Sequence, residues 1–506
     1  MQVSPDFDLF RRAYEKGAAQ VVLTRLVADL ETPVSAALKL GRNGGHSFLL
    51  ESVEGGAVRG RYSIIGIKPD LIWKVESARA TINRHALKDP EGPFEAIAAP
   101  PLEALRALLE ESRISLPEDA PPMAAGVFGY MGYDMVWLME ELPEPNPDVL
   151  GLPDGMLIRP TVMAIFDSVK DEVTVVTPVY PAANVGAKAA YARAIERISE
   201  IVEALDRPLD HEARLNADTP AIENPCSNTS PEEYKAMVLR AKDYIAAGDI
   251  FQAVLSQRFE APFTLPPFAL YRSLRRVNPS PFLYYLDFDR FAIIGSSPEI
   301  LVRVRDGKVT IRPIAGTRPR GATPAQDRAL SAELLADPKE RAEHLMLLDL
   351  GRNDVGRVAE IGSIRVTDQF ILEYYSQVMH IVSNVEGKLD RKYDAIDALV
   401  AGFPAGTVSG APKVRAMEII DELEKEKRGV YAGCVGYFSC DGDMDTCIVL
   451  RTAIVKDGKM YVQAGAGVVA DCVPESEHIE CVNKAKALFR AAEDAVRFAG
   501  RAGRGQ

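Results

Sequence analysis

The sequence predicts an α+β fold in which large, mostly antiparallel β-sheets pack together and are covered by helices. Three observations carry this. Short runs of β-branched, aromatic and other apolar residues recur along the 506-residue chain. Neighbouring runs are joined by tight turns such as Asp457-Gly458, which favour antiparallel pairing. Longer segments with apolar residues at helical spacing are mixed among them.

In the N-terminal portion of the chain, strands are expected at Ser47–Ser52, Tyr62–Ile67, Leu71–Val75, Met156–Phe166 and Glu172–Thr177. Helices are expected there at Leu102–Ser112 and Ala187–Leu205. The stretch 206–230 is polar, punctuated by proline and aperiodic, so it reads as a linker or long surface loop. A helix then opens with Ser230 as N-cap, Pro231 at its first position and Glu233 completing a capping box. Its apolar stripe is Tyr234, Met237, Val238, Ala241 and Ile245, and Gly248 ends it. Beyond it, strands are expected at Ile250–Phe259, Phe282–Asp287, Lys308–Pro313, Gln377–Val385, Thr446–Val455 and Met460–Ala464. The helices there are Asp327–Leu335, Lys339–Leu350, Tyr393–Ala401, Lys413–Glu424 and Ser476–Phe498. The chain thus divides into an N-terminal portion (residues 1–205), a linker (206–230), a C-terminal portion (231–499) and a flexible tail (500–506) of small and polar residues.

Composition narrows the function. With 47% hydrophobic and 26% charged residues, the chain has the make-up of a globular protein with a sizeable core. Its length suits roughly two to four domains at about 100–200 residues each. The net charge of -13, without a basic run, argues against nucleic acid as a partner. The six cysteines are scattered, form no C-x-x-C pair and match no zinc spacing, which fits a reducing cytosol. No apolar run approaches the roughly 20 residues that span a bilayer, and the charged N-terminal segment lacks an apolar signal core. A soluble cytoplasmic protein with no membrane partner is expected.

Chemistry concentrates in the C-terminal portion. Arg312-Pro313-Ile314-Ala315-Gly316-Thr317-Arg318 is followed by two acidic pairs, Glu340 with Glu343 and Glu477 with Glu480. Each pair is spaced i,i+3 in a helical segment and therefore shares one helix face. Carboxylates beside hydroxyl- and glycine-bearing loops suit Mg²⁺, which binds through one or two carboxylates plus waters and substrate oxygens. The same glutamates follow Pro338 and Pro474, where a helix N-terminus favours an anion by about 0.3–1 kcal/mol. Gly465-Ala466-Gly467-Val468-Val469-Ala470 fits G-x-G-x-x-G/A. It continues into Asp471-Cys472-Val473-Pro474 rather than a helix, which argues against a dinucleotide site. What remains is either a tight turn or a strand end whose glycines let N–H groups approach an anion. Between Pro404 and Lys413 a Gly/Ser/Thr-rich loop opens a helix, a geometry that aims N–H groups at an anion without the G-K-[ST] of a P-loop. His380, in an alternating run, is either a sheet histidine or a site residue.

These pieces resemble the chorismate-utilising enzymes, most closely the anthranilate synthase component I branch. The resemblance runs from LLES at Leu49–Ser52 to NKA at Asn483–Ala485. It includes IFQAVLSQRF, NPSPFLYYL, GSSPE, RPIAGTRPRG, EHLMLLDLGRNDVGRV, QVMHIVS, FPAGTVSGAPKVRAMEII, YAGCVGYF, DTCIVLRTA and QAGAGVVADCVPESE. Two positions select the branch. Aminodeoxychorismate synthases carry a nucleophilic Lys where this chain has Ala315, and isochorismate and salicylate synthases a water-activating Lys where it has Gln252. Alanine offers no nucleophile, and a neutral amide cannot take a proton from water. Aminodeoxychorismate synthase and a non-catalytic chorismate- or tryptophan-binding regulator are the alternatives.

The resemblance implies Mg²⁺-dependent conversion of chorismate and ammonia to anthranilate and pyruvate, the first step of tryptophan biosynthesis. It places Mg²⁺ on Glu343 and Glu480, with Glu340 and Glu477 in support. Gly316, Thr317, Tyr431 and Arg451 would hold the two substrate carboxylates together with Gly465, Ala466, Gly467 and Lys484. Glu299 would be the general acid for the departing C4 hydroxyl, with His380 and Thr407 at the ring-carboxylate end. A feedback site for L-tryptophan is implied at Glu51, Ser52, Pro281, Phe282, Leu283, Val435 and Tyr437, with Arg61 a candidate for the ligand carboxylate. No cysteine sits in the G-x-C-x-G elbow of a glutaminase. Glutamine-dependent activity therefore implies a separate glutamine amidotransferase subunit, component II, in a heterotetramer of two component I and two component II chains. Alone, the chain is expected to use free ammonia.

Overall fold

Strand pairing dominates the architecture. In this computed structural model the described residues are 1–41, 45–54, 58–209, 225–375 and 378–499. Among them every strand pair is antiparallel. Most of the expected linker (210–224) and the expected tail lie outside the described residues. The fold class is therefore the expected α+β arrangement, with helices on the outside of extensive antiparallel sheet.

Strands from the N-terminal portion pair directly with strands from the C-terminal one. Ser47–Glu54 lies beside Phe282–Asp287 with Leu49 opposite Tyr285. Gly126–Met131 lies beside Cys434–Ser439 with Phe128 opposite Tyr437. One core forms between the strands this joins, around Phe48, Phe128, Tyr130, Tyr284 and Phe291. The Phe48 and Phe128 rings stack there at 4.5 Å, a contact that a one-residue slip of either strand would break by turning its own ring to the other face. A second core lies beneath Ala187–Asp206, Pro231–Ala247, Pro267–Val277 and Pro474–Ala499. A third packs Pro101–Glu111 and Ala395–Gly402 against the sheet.

Several element boundaries depart from expectation, each for a local reason. Tyr62–Ile67 and Leu71–Val75 belong to one strand, Val58–Glu76, whose register shifts between Pro69 and Leu71. Lys68 takes a positive φ of 52° beside that irregularity, so the alternation breaks without ending the strand. Thr446–Val455 is two strands, Met444–Ile448 and Thr452–Lys456, because Arg451 adopts a φ of 50° between them. Lys308–Ile311 stops before Pro313, and Ile314–Pro319 takes up pairing with the same neighbour, Val378–Lys388. Gly126–Met131 and Phe291–Ser297 are buried along their whole length, so neither shows the alternation that marks a half-exposed strand.

The expected capping box at Ser230 and Glu233 is formed, with Pro231 in the first turn and Gly248 in the left-handed conformation at the end. The Tyr234 hydroxyl donates to the Leu255 carbonyl at 3.0 Å, tying this helix to the strand Gln252–Pro262 that builds the site. Ser230→Ala is expected to cost about 1 kcal/mol, measurable as a lowered thermal midpoint with an unchanged circular dichroism spectrum.

Candidate active site

The pairing of Gln252–Pro262 with Lys459–Val468 sets Val254 opposite Gly467 and Ser256 opposite Gly465. Close approach requires glycine at Gly465, where a Cβ would stand 2.7 Å from the Leu255 carbonyl oxygen and 2.9 Å from the Tyr431 hydroxyl. A Cβ on Gly467 would stand 2.5 Å from Gln252 Nε2 and displace that amide. The two residues leave room for Gln252 and Tyr431 to turn into a cavity of about 200 Å³. Its walls bring together a buried acid, two cations and a pair of carboxylates.

Glu299, at the corner between Phe291–Ser297 and Ile300–Arg305, is 5% exposed. Burial pushes its carboxyl up to about 8, against the Thr407 hydroxyl, which donates to Oε1 at 3.1 Å, and the Ile314 N–H. It is therefore a neutral acid at pH 7 that already faces the cavity. His380 also lines the cavity, its Nδ1 3.0 Å from the Thr317 hydroxyl and 3.2 Å from the Gly316 carbonyl. Burial lowers its pKa to about 4, so the ring is neutral. Its bond to a carbonyl makes Nδ1 the protonated nitrogen.

The cations come from two elements. The positive φ of Arg451, between two strands, turns it into the cavity wall. Lys484, on Pro474–Ala499, donates to the Gly465 carbonyl at 2.9 Å and pairs with Glu480 at 2.7 Å. An arginine fork and an ammonium so placed match a ligand bearing carboxylates.

Of the four expected metal carboxylates, Glu343 and Glu480 line the cavity. Glu343 accepts from Gln252 Nε2 at 3.1 Å. Burial raises its pKa, and Glu340 and Glu480 add to the rise against the Gln252 bond. Glu477 is pushed up to about 7 by burial and then by Glu480. Glu340 pairs with Arg318 at 3.0 Å and does not line the cavity. Among the described residues no three His, Cys, Asp or Glu side chains stand close enough to hold an ion by themselves. The arrangement fits Mg²⁺ in the manner usual for that ion, through two crowded carboxylates with waters and ligand oxygens completing the shell.

Gly316, Thr317, Thr407, Tyr431, Gly465 and Gly467 also line the cavity, whereas Ala466 does not. Ala466 is fully buried. Val462, Gln463 and Ala464 line the cavity as well, and of these Gln463 shares the face of Gly465 and Gly467.

A second cavity of about 690 Å³ lies behind Pro298 and Ile314, which line both. It gathers Glu51, Ser52, Pro281, Phe282, Leu283, Val435 and Tyr437, with Arg61 at its edge. Glu51 is not a free charge, because Arg275 grips both its oxygens at 2.6 and 2.9 Å. Arg61 pairs with Asp167 at 2.9 Å and stacks on Tyr62. Arg303 and Arg305 enter the same cavity and share Asp445, a cationic side that spacing alone did not reveal.

Residues 57–490 match the family described as chorismate binding enzyme. Fold, cavity and family agree, and the chain belongs to the chorismate-binding enzymes. It is 59% identical over 499 residues to anthranilate synthase component 1 of Cereibacter sphaeroides, covering 99% of each chain. It is 45% identical to the protein of that name from Aquifex aeolicus, covering 97% of this chain and 98% of the other. Within the larger family it is therefore a member of the anthranilate synthase component 1 family, and an enzyme. Among solved structures, anthranilate synthase component I from Streptococcus pneumoniae superposes with a TM-score of 0.76 at 38% identity, covering 92% of this chain and 99% of that one. The menaquinone-specific isochorismate synthase of Escherichia coli, at 18% identity and a TM-score of 0.68 over 96% and 98% of the two chains, shares the fold. Among the described residues no helix is long and apolar enough to cross a membrane.

The folded protein keeps the Glu299 proton up to about pH 8, whereas an ordinary glutamate releases it near 4.5. The stability this group permits is therefore complete below about pH 4.5 and is lost as pH rises to about 8. Glu299→Gln removes that loss. Its thermal midpoint is expected to exceed that of the wild type at pH 9 and to match it closely at pH 5.

Proposed function

We propose that the chain converts chorismate and ammonia to anthranilate and pyruvate, the first step of tryptophan biosynthesis, as the names of its relatives suggest. The observation that carries this reading is a neutral, buried Glu299 facing a cavity that also holds Arg451 and Lys484 and offers no lysine at Ala315 or Gln252. Arg451 and Lys484 bind the two substrate carboxylates. Ammonia adds at C2 as the C4 hydroxyl departs, and Glu299 gives that hydroxyl its proton so that it leaves as water. Loss of pyruvate and of the C2 proton then yields the aromatic amine. His380, neutral and fixed by Gly316 and Thr317, orients the ring-carboxylate end, and Thr407 aims Glu299.

Glu343 and Glu480 would hold Mg²⁺, with Glu340 and Glu477 in the surrounding shell. When bound, the ion would supply positive charge to the ring carboxylate. Ammonia from glutamine requires a partner amidotransferase, component II, in an assembly of two chains of each kind. The second cavity is the site for L-tryptophan. Its indole lies among Pro281, Phe282, Leu283, Val435 and Tyr437, its ammonium group near Ser52, and its carboxylate toward Arg61 or the Arg303–Arg305 side.

Purified chain supplied with chorismate, Mg²⁺ and an ammonium salt is expected to form fluorescent anthranilate and to stop on addition of EDTA. Glu299→Gln should lose about 10²–10⁴ in rate, and Glu343→Ala or Glu480→Ala should abolish the Mg²⁺ response. Chorismate consumed without anthranilate would instead identify an aminodeoxychorismate product. Saturating L-tryptophan is expected to suppress the reaction, an effect that Ser52→Phe, which projects a ring into the second cavity, should relieve; undiminished turnover of the wild type with tryptophan would remove the feedback reading.

A further inference from the structure

Behind the cavity lies a buried ion pair that the proposed reaction does not use. Arg428 is 3% and Glu424 7% exposed. The arginine donates from Nε to Glu424 Oε2 at 2.9 Å and from Nη2 to Oε1 at 2.6 Å. Nη1 donates to the Val408 carbonyl at 2.7 Å and Nη2 to the Val254 carbonyl at 2.6 Å. Its guanidinium carbon lies 4.8 Å from the Tyr133 ring centroid and 5.6 Å from that of Tyr431. Glu424 Oε1 also accepts from the Ser256 N–H and hydroxyl, both at 2.8 Å, and that hydroxyl accepts from Gln463 Nε2 at 2.9 Å.

The pair therefore reaches four residues that line the cavity: Val254, Val408, Tyr431 and, through Ser256, Gln463. A buried ion pair is a poor device for stability, because desolvation offsets most of the attraction. Its planar fork, however, fixes several acceptors in one geometry. Val408 is the residue after Thr407, whose hydroxyl donates to Glu299. We propose that Arg428, oriented by Glu424, is a positioning residue: by holding the Val408 carbonyl it keeps the Thr407 hydroxyl on Glu299, and by stacking on Tyr431 it sets the facing wall. This rests on the reading of Glu299 as the general acid.

The test is kcat against pH at a fixed concentration of free ammonia. Removing the Thr407 donor takes away a bond that favours ionised Glu299, so Thr407→Val should move the descending alkaline limb upward by about half to one pH unit. Other titratable or charged groups near Glu299 are His380, Arg451, Lys484, Tyr431, Glu343 and Glu480 in the same cavity, Tyr375 behind His380, and the Asp354–Lys413 pair beyond Thr407. The hydrogen bonds of Arg428 go instead to Glu424, Val408 and Val254. Arg428→Lys keeps the charge, so any movement of the limb must come through geometry.

Arg428→Lys and Glu424→Gln are expected to lower kcat by about tenfold or more and to move the limb in the direction of Thr407→Val. Combining Arg428→Lys with Thr407→Val should move it no further than Thr407→Val alone. If Thr407→Val leaves the limb in place, the acid role of Glu299 falls. If Thr407→Val moves it while the folded Arg428→Lys and Glu424→Gln enzymes lose rate with a wild-type limb, the positioning role of Arg428 is overturned. Should Arg428→Lys not fold, Glu424→Gln decides: it keeps the side-chain volume and an acceptor for Ser256, and the cation it leaves unpaired on Arg428 would by itself move the limb downward, so an upward movement still reports geometry.

Discussion

The antiparallel pairing of Gln252–Pro262 with Lys459–Val468 is the constraint on which the site depends. It sets Gly465 and Gly467 at places where any side chain would collide with Tyr431 and Gln252. Three helices are hung from the same two strands. Pro231–Ala247 is tied through Tyr234 to Leu255, Pro474–Ala499 through Lys484 to Gly465, and Pro338–Gly356 through Glu343 to Gln252. A slip of Lys459–Val468 by one residue would send both glycines to the far face and break the attachment of Lys484 to Gly465.

Burial does the electrostatic work within that frame. One environment keeps Glu299 protonated and His380 unprotonated, because desolvation disfavours whichever form is charged. Two cations are held by partners: Lys484 pairs with Glu480, and Arg428 with Glu424 and two carbonyls besides. The carboxylates at the cavity end are the exception, since Glu343 and Glu477 are raised by burial and further by neighbouring glutamates, Glu480 among them. Such crowding is what a divalent cation relieves.

The two cavities share a wall formed by Pro298 and Ile314, each adjacent in sequence to a site element. Pro298 precedes Glu299, and Ile314 precedes Ala315 and Gly316. The second cavity also joins Ser47–Glu54 from the N-terminal portion to Phe282–Asp287 and Cys434–Ser439 from the C-terminal one. It exists because strands distant in sequence line one space, so its cationic groups, Arg303 and Arg305, could not be assigned from the motifs around Ser52 and Pro281.

Local signals were sufficient for what is local. Ser230, Pro231, Glu233 and Gly248 specified a helix and both its ends, because caps and left-handed glycines act over about four residues. Turn residues and alternation specified an antiparallel α+β class, and the i,i+3 spacing put each glutamate pair on one face. Fully buried strands such as Gly126–Met131 were not legible, since burial on both faces erases alternation. The division of the Thr446–Val455 run at Arg451 was hidden as well, because a positive φ at arginine has no sequence signature. Gln463 was within reach of a period-two count from Gly465. Arg428 was not: its acceptors, Val254 and Val408, are 174 and 20 residues away. The sequence by itself determined the residue types and local elements from which a site can be built, since capping, periodicity and charge act between near neighbours. Only the tertiary structure decided which of them meet, which carboxyl stays protonated and which ion pair stands behind the cavity, because burial and register belong to the packed chain.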